Sequence, residues 1–274
     1  MGRGAGAGPP QAGVPRAGAG VCVLGSGTLL PDDRRHSAAH LVRGSGALLL
    51  MDCGPGTLHG LDRHGVAWRD LTHLALSHFH VDHVGDMAAL LFAYAYGPGS
   101  PREAPLTILG PVGVARLLDA LAAAHGDFVH EPGFPVKVVE LEPGTPYRTT
   151  GWSLACTGTA HTSESIALRW EGGEGRVGYT GDTGPHPELG AFFRGVDVLI
   201  SECGQSDPPA VEGHLSPAGV AALAAECSPG TVVLTHVFPP MRPDEAADAV
   251  KQAGYSGTVI PATDGLWLPL PGSA

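Results

Sequence analysis

Positive charge is scarce in this chain. Lysine occurs only at Lys137 and Lys251, and 16 basic residues face 27 acidic ones for a formal charge of −11. That balance argues against a broad polyanion-binding face, since phosphate backbones are held chiefly by Lys and Arg, though it leaves a local pocket open. The five cysteines (Cys22, Cys53, Cys156, Cys203 and Cys227) are odd in number and include no C-x-x-C pair. They sit mostly in apolar runs, so they read as small buried hydrophobes, which fits a reducing cytoplasm. No stretch approaches the roughly 18 apolar residues of a membrane-spanning helix. Residues 1–19 are Gly, Ala and Pro with two arginines. They lack the apolar core of a signal peptide and the Ser/Thr of a myristoylation site, and read as a disordered tail before one domain over 20–274.

What is present suits an α/β fold. Hydrophobic residues make up 43% of the chain, enough for a substantial core, while 41 Gly and 25 Pro suggest many strand–turn–helix transitions. Strands are expected at 21–24, at 40–43 and 47–52 (a hairpin across Gly44-Ser45-Gly46), and at 106–109 before a Gly110-Pro111 break. Helices are expected at 84–96, 112–125 and 216–227, with another opening at Gly54-Pro55-Gly56-Thr57. A second half starts near Val136, with strands at 136–140, 152–156, 165–170, 175–180, 196–201 and 231–235. Strands followed by helices, twice over, suit two sheets packed face to face with helices outside.

Residues 78–83 read His-Phe-His-Val-Asp-His, directly after the apolar run 74–77. In an extended chain His78 and His80 share a face, while Asp82 and His83 follow where the chain turns toward a helix. One strand end can thus aim two nitrogens at one point and an oxygen and a nitrogen at another. Such N and O donors suit zinc. Manganese or iron also fits them.

This pattern resembles H-x-H-x-D-H of the metallo-β-lactamase superfamily. The resemblance covers about residues 20–270 and implies a four-layer αββα sandwich with two divalent metal ions, expected to be Zn2+, at one edge. Its remaining ligands fall, in order, on His161 in Thr-Ala-His-Thr, Asp182 in Thr-Gly-Asp-Thr-Gly and His236 in Leu-Thr-His. The family's arrangement would give one ion His78, His80 and His161, the other Asp82, His83 and His236, with Asp182 bridging. A hydroxide shared by the ions would be the nucleophile. Asp52, ending a strand, either orients a ligand histidine or caps a helix. Gly25-Ser26-Gly27 lacks the Gly-Lys-Ser/Thr of a phosphate loop and reads as a tight turn lining the metal edge.

Within the superfamily, the chain looks like the ribonuclease Z-like phosphodiesterase branch. Glu202, ending a strand, and His214, in a later loop, resemble that branch's acid–imidazole pair; His214 alternatively just begins the helix that Ser216 caps. With Asp82 they are the candidate catalytic residues. Residues 34–39 (Arg-Arg-His-Ser-Ala-Ala) add to the likeness. In one respect the chain departs from the tRNA-processing enzymes: residues 162–181, between His161 and Asp182, hold a hairpin and no room for a basic tRNA-binding arm. The expected substrate is therefore a small phosphodiester or short nucleic acid. A metal-dependent acyl hydrolase (thioester, lactone or lactam) and a tRNA 3′-processing endoribonuclease stay open, as does a non-catalytic binding role. The expected setting is cytoplasmic, without a membrane. The Pro-rich loops at 128–135 and 238–241 are candidate homodimer faces.

Overall fold

Ser45 and Gly46 both adopt positive φ, 49° and 78°, which lets a two-residue turn close the first hairpin with the twist its strands require. Such local choices, repeated, build the architecture of the computed structural model, which describes residues 15, 17–99 and 102–272. The expected tail at 1–19 lies largely outside them; at its end Ala19 is buried and accepts the Leu270 N–H at 3.1 Å. In chain order the elements are β1 (Gly20–Gly25), β2 (Ala39–Gly44), β3 (Ala47–Met51), α1 (Thr57–Arg63), β4 (His73–Ala75), α2 (Val81–Val84), α3 (Met87–Tyr96), β5 (Leu106–Pro111), α4 (Val114–His125) and β6 (Val136–Leu141). Then follow β7 (Tyr147–Arg148), β8 (Trp152–Gly158), β9 (Ile166–Gly172), β10 (Gly175–Tyr179), α5 (Leu189–Phe192), β11 (Val198–Glu202), α6 (Pro217–Cys227), β12 (Thr231–Thr235), α7 (Pro243–Gln252), β13 (Thr258–Pro261) and β14 (Trp267–Pro269).

Two seven-stranded mixed sheets result, ordered β14-β1-β2-β3-β4-β5-β6 and β13-β12-β11-β10-β9-β8-β7. Alternation along the strands sorts their side chains into separate layers. Val23, Leu49 and Met51 of one sheet meet Leu168, Trp170 and Ile200 of the other in the central layer. The outer face of the first sheet packs on α1, α3 and α4 through Leu61, Leu90 and Leu118. The outer face of the second packs on α5, α6 and α7 through Leu189, Val220 and Val250. This is the expected αββα sandwich. All five cysteines are free and buried, and no helix among the described residues is long and apolar enough to cross a membrane.

Three details differ from the sequence reading. First, β6 pairs in parallel with β5, from Leu106↔Val136 to Pro111↔Leu141, so the second sheet begins at β7 and not near Val136. Second, β5 continues through Gly110-Pro111, and α4 starts at Val114 after Gly113 turns the chain at φ 107°. Third, the helix expected over 84–96 is two helices split at Gly85-Asp86. The Asp86 carboxylate accepts the backbone N–H groups of Gly56 and Leu58, both at 3.0 Å, and so clamps the start of α1.

The central layer sets the sheets' relative position. Leu168, fully buried there, is expected to destabilise the protein by about 2–5 kcal/mol when replaced by Ala. Urea unfolding should show this as a lower midpoint at unchanged slope.

Candidate metal centre

The pairings align the ends of β1, β3 and β4 in the first sheet and of β8, β10, β11 and β12 in the second. Contacts between side chains beyond those ends bring the two sets together at one edge of the sandwich. Open α/β sheets bind ligands outside the carboxyl ends of their strands. Here six of those ends, all but that of β1, carry the expected site residues together. Past β3 comes Asp52; past β4 come His78 and His80, with Asp82 and His83 in α2, which begins at Val81 and not Val84. Past β8 comes His161, past β10 Asp182, at the end of β11 Glu202, and past β12 His236. Asp52 and His236 hold φ of 58° and 55°, a conformation costly for residues with a Cβ and concentrated at functional sites. Gly54 permits a close approach, since a Cβ there would meet the Asp82 carbonyl oxygen at 2.0 Å.

All seven expected ligand residues converge. His80 Nδ1 lies 3.1 Å from His78 Nε2 and 3.0 Å from His161 Nε2. In the second cluster, His236 Nε2 lies 3.3 Å and His83 Nε2 3.8 Å from Asp82 Oδ2. Asp182 Oδ2 sits between them, 3.4 Å from His83 Nε2, 3.7 Å from His236 Nε2, and 3.8 Å from both His78 Nε2 and His161 Nε2. Nitrogens bonded to one tetrahedral zinc at 2.0–2.1 Å stand about 3.3 Å apart, so the spacing suits a metal ion in each cluster. Two buried atoms support that fit: His83 Nε2 and Asp182 Oδ1 have no hydrogen-bond partner, an arrangement costly unless a ligand completes it.

The rings are aimed from behind. Asp52, wholly buried, accepts the Ser77 N–H on Oδ1 at 2.7 Å. On Oδ2 it accepts the Ser77 hydroxyl, the Tyr179 hydroxyl and His83 Nδ1–H, each at 2.7 Å. The Ser77 oxygen in turn faces His78 Nδ1 at 3.0 Å, and the Gly213 carbonyl faces His161 Nδ1 at 2.9 Å. With Nδ1 the donor in these three rings, the Nε2 lone pair points inward, the tautomer a metal ligand needs. Of the two sequence readings of Asp52, orienting a histidine is the one the geometry matches. The turn at Ser26 braces His236 by accepting its N–H at 3.1 Å.

Glu202 and His214 also meet. His214 Nδ1 lies 3.0 and 3.2 Å from the two Glu202 carboxylate oxygens, which take further N–H bonds from Thr183 (2.6 Å) and Gly204 (2.9 Å). The His214 ring packs 4.9 Å from that of His161 and stacks at 5.8 Å on that of His236. Burial raises the Glu202 pKa against the pull of His214, and burial of His214 is outweighed by the Glu202 carboxylate, which holds the imidazole above its ordinary value. Two residues escaped the sequence reading. Asp264 ties Ser26 and His36, accepting the Ser26 N–H and hydroxyl at 2.8 Å and His36 N–H at 2.8 Å; lying outside any recognisable motif, it gave no signal. His40, buried with both ring nitrogens unpartnered, packs edge-on against Tyr179 at 4.8 Å.

An αββα sandwich carrying a His–Asp cluster at its strand ends defines a metal-dependent hydrolase. Residues 48–237 match the family model described as the beta-lactamase superfamily domain. The chain is 31% identical over 249 residues to a ribonuclease Z of Mycobacterium sp. (strain KMS), covering 83% of this chain and 87% of that one. Among solved structures, the metallo-beta-lactamase fold protein YhfI from Bacillus subtilis superposes with a TM-score of 0.79 at 25% identity, covering 91% of this chain and 98% of that one. The short form of human tRNase Z shares the fold, with a TM-score of 0.75 at 22% identity over 92% and 99% of the two chains. The chain belongs to the beta-lactamase superfamily, in its metallo-β-lactamase form, on the ribonuclease Z-like branch.

If Asp52 sets the ring orientations, Asp52→Asn should lower zinc affinity about 10–100-fold, the usual cost of losing such a partner. Competition with a chromophoric chelator measures this, and unchanged affinity would reassign Asp52 to stability alone.

Proposed function

We propose that the protein is a binuclear metal-dependent phosphodiesterase acting on a small phosphodiester. His78, His80 and His161 would hold one ion and Asp82, His83 and His236 the other, with Asp182 shared, and zinc is the ion these donors favour. When bound, such a pair makes a nucleophile of water near neutral pH and neutralises charge on the phosphoryl group.

The observation that carries the phosphodiester reading is the contact between Glu202 and His214. An acyl hydrolase with the same ligand set has no need of it. Glu202 accepts a hydrogen bond from His214 Nδ1–H, so Nε2 is the ring atom free to carry a second proton. A protonated ring beside the metal cluster can bind a phosphoryl oxygen, then pass its Nε2 proton to the leaving alkoxide as the P–O bond breaks. The raised His214 pKa favours that charged form.

The segment between His161 and Asp182 supports a small substrate. Past a short turn it is consumed by the β9–β10 hairpin, whose strands pair from Gly172↔Gly175 to Leu168↔Tyr179. No arm projects from it to meet a tRNA body, and the formal charge of −11 opposes docking of a long polyanion. The curated relative's name, ribonuclease Z, makes tRNA 3′ processing the second reading.

Hydrolysis of bis(p-nitrophenyl) phosphate by zinc-reconstituted protein is the test. His214→Ala should keep two metals by elemental analysis yet lose about 10²–10⁴-fold in kcat. Since the active form of His214 is protonated, wild-type kcat should fall as pH rises through a pKa above the ordinary imidazole value of about 6.5, and that alkaline limb should vanish in the variant. Normal turnover by His214→Ala would overturn the assignment. A separate expectation concerns Asp182→Ala, which should bind fewer than two metals per chain in the same analysis.

A further inference from the structure

One cleft reaches the His–Asp cluster and another lies along the segment that follows His236, and their linings differ. One, of about 930 Å3, opens between the loop carrying His161 and the loop carrying His214. Its walls include Ala160, Thr162, Pro185, Ala210 and Val211, all uncharged, and among the described residues lining it there is no lysine or arginine. Its one acidic side chain is Glu212, and Val211 is 54% exposed. Past Pro185 a smaller groove of about 390 Å3 is lined by Leu189, Leu215 and Leu223 together with His186 and Glu226.

The other cleft, of about 680 Å3, lies along the segment that follows His236 and contains Arg34, Arg35 and Arg242. These cations face carboxylates of the same cleft: Arg35 pairs with Asp32 at 2.9 Å, Arg242 with Asp244 at 3.1 Å, and Arg34 stands 3.9 Å from Asp33. Neither cleft therefore offers a net cationic wall of the kind that holds successive phosphates.

His214 borders the first cleft. In the reading above it delivers a proton to the leaving oxygen, so the group departing from phosphorus occupies that side. We infer that this cleft receives the leaving alcohol, and that the substrate is a phosphodiester whose leaving group is uncharged and largely apolar. An anionic leaving group would meet Glu212 with no lysine or arginine in the cleft to offset it, the protonated His214 ring being engaged by Glu202 and the leaving oxygen, whereas an apolar one gains by covering the Ala160, Pro185, Ala210 and Val211 surfaces. The inference rests on the phosphodiesterase reading and adds the chemistry of one half of the substrate.

Two substrates of matched leaving-group acidity test it: ethyl 4-nitrophenyl phosphate and its 3-carboxy-4-nitrophenyl counterpart. Zinc-reconstituted wild type should show kcat/KM at least about tenfold lower for the carboxylated ester, the scale of one unrelieved like-charge contact. Equilibrium titration with the two free phenols should show the same preference without turnover. Val211→Lys should narrow both gaps to within about threefold. Ala210→Lys, at another exposed position of the same wall, serves if the first variant folds poorly. Hydrolysis of neither ester would remove the phosphodiesterase reading itself, and this inference with it. Hydrolysis of both at equal kcat/KM would leave that reading standing and overturn this one. A gap that persists in both lysine variants would also overturn it, since the discrimination would then arise elsewhere.

Discussion

One buried carboxylate holds the site together. Asp52 collects four donors, from Ser77 (twice), Tyr179 and His83, and those donors belong to three different parts of the fold: the segment after β4, the end of β10 in the opposite sheet, and α2. A carboxylate buried without an ammonium or guanidinium partner survives only if hydrogen bonds replace its hydration. Each charge-assisted bond contributes about 1.5–3 kcal/mol, and four of them at 2.7 Å meet the need. The left-handed backbone at Asp52 is tolerated for the same reason. Moving any of the three elements would strand a donor, so their positions are fixed together, and the rings of His83 and His78 with them.

The site is also divided between the two sheets. The first supplies His78, His80, Asp82 and His83, the second His161, Asp182, Glu202 and His236, with His214 from the loop after β11. Its geometry is thus only as good as the packing of the central layer. Burial, with a smaller contribution from the neighbouring His83, lowers the His78 pKa to about 3. That ring stays a neutral donor throughout the physiological range, which is the state coordination requires. Binding of a cation by donors assembled from both sheets adds its free energy to the folded state alone, so occupancy and stability are linked.

How much of this could be read in the sequence depended on distance along the chain. The His-x-His-x-Asp-His segment was legible because four donor side chains fall within one strand end and one helical turn. His161, Asp182 and His236 were legible only as an ordered set, each after an apolar strand, and singly would have passed for turn residues. Sheet membership was not legible: the pattern of 136–141 specifies a strand but not its partner, and only pairing with β5 places it in the first sheet. Nor were β13 and β14 foreseen. Thr258–Pro261 ends in a proline, which reads as a strand breaker yet is tolerated at an edge strand. Trp267–Pro269 returns to β1, pairing Gly20 with Pro269 across almost the whole chain. Asp264 acts at similar range, contacting Ser26 from 238 residues away, and a contact of that span leaves no local pattern.

The shortage of positive charge noted at the outset acquires a physical meaning at the mouth of the site. Proteins that hold phosphates by side chains alone place several Lys or Arg where the oxygens will lie. Here the arginines of the cleft along the segment that follows His236 already face aspartates, and the cleft next to His214 has none. In the proposed enzyme the attraction for a phosphoryl group therefore comes from the ions held by the His–Asp cluster and from the protonated His214 ring. Bound cations are the largest local charges in such a site, and their field is confined to the reacting centre. A surface organised in this way selects for one phosphate at one point. On the proposed reading it would give little purchase to a strand of them, and would leave the groups on either side to be recognised by shape and apolar contact.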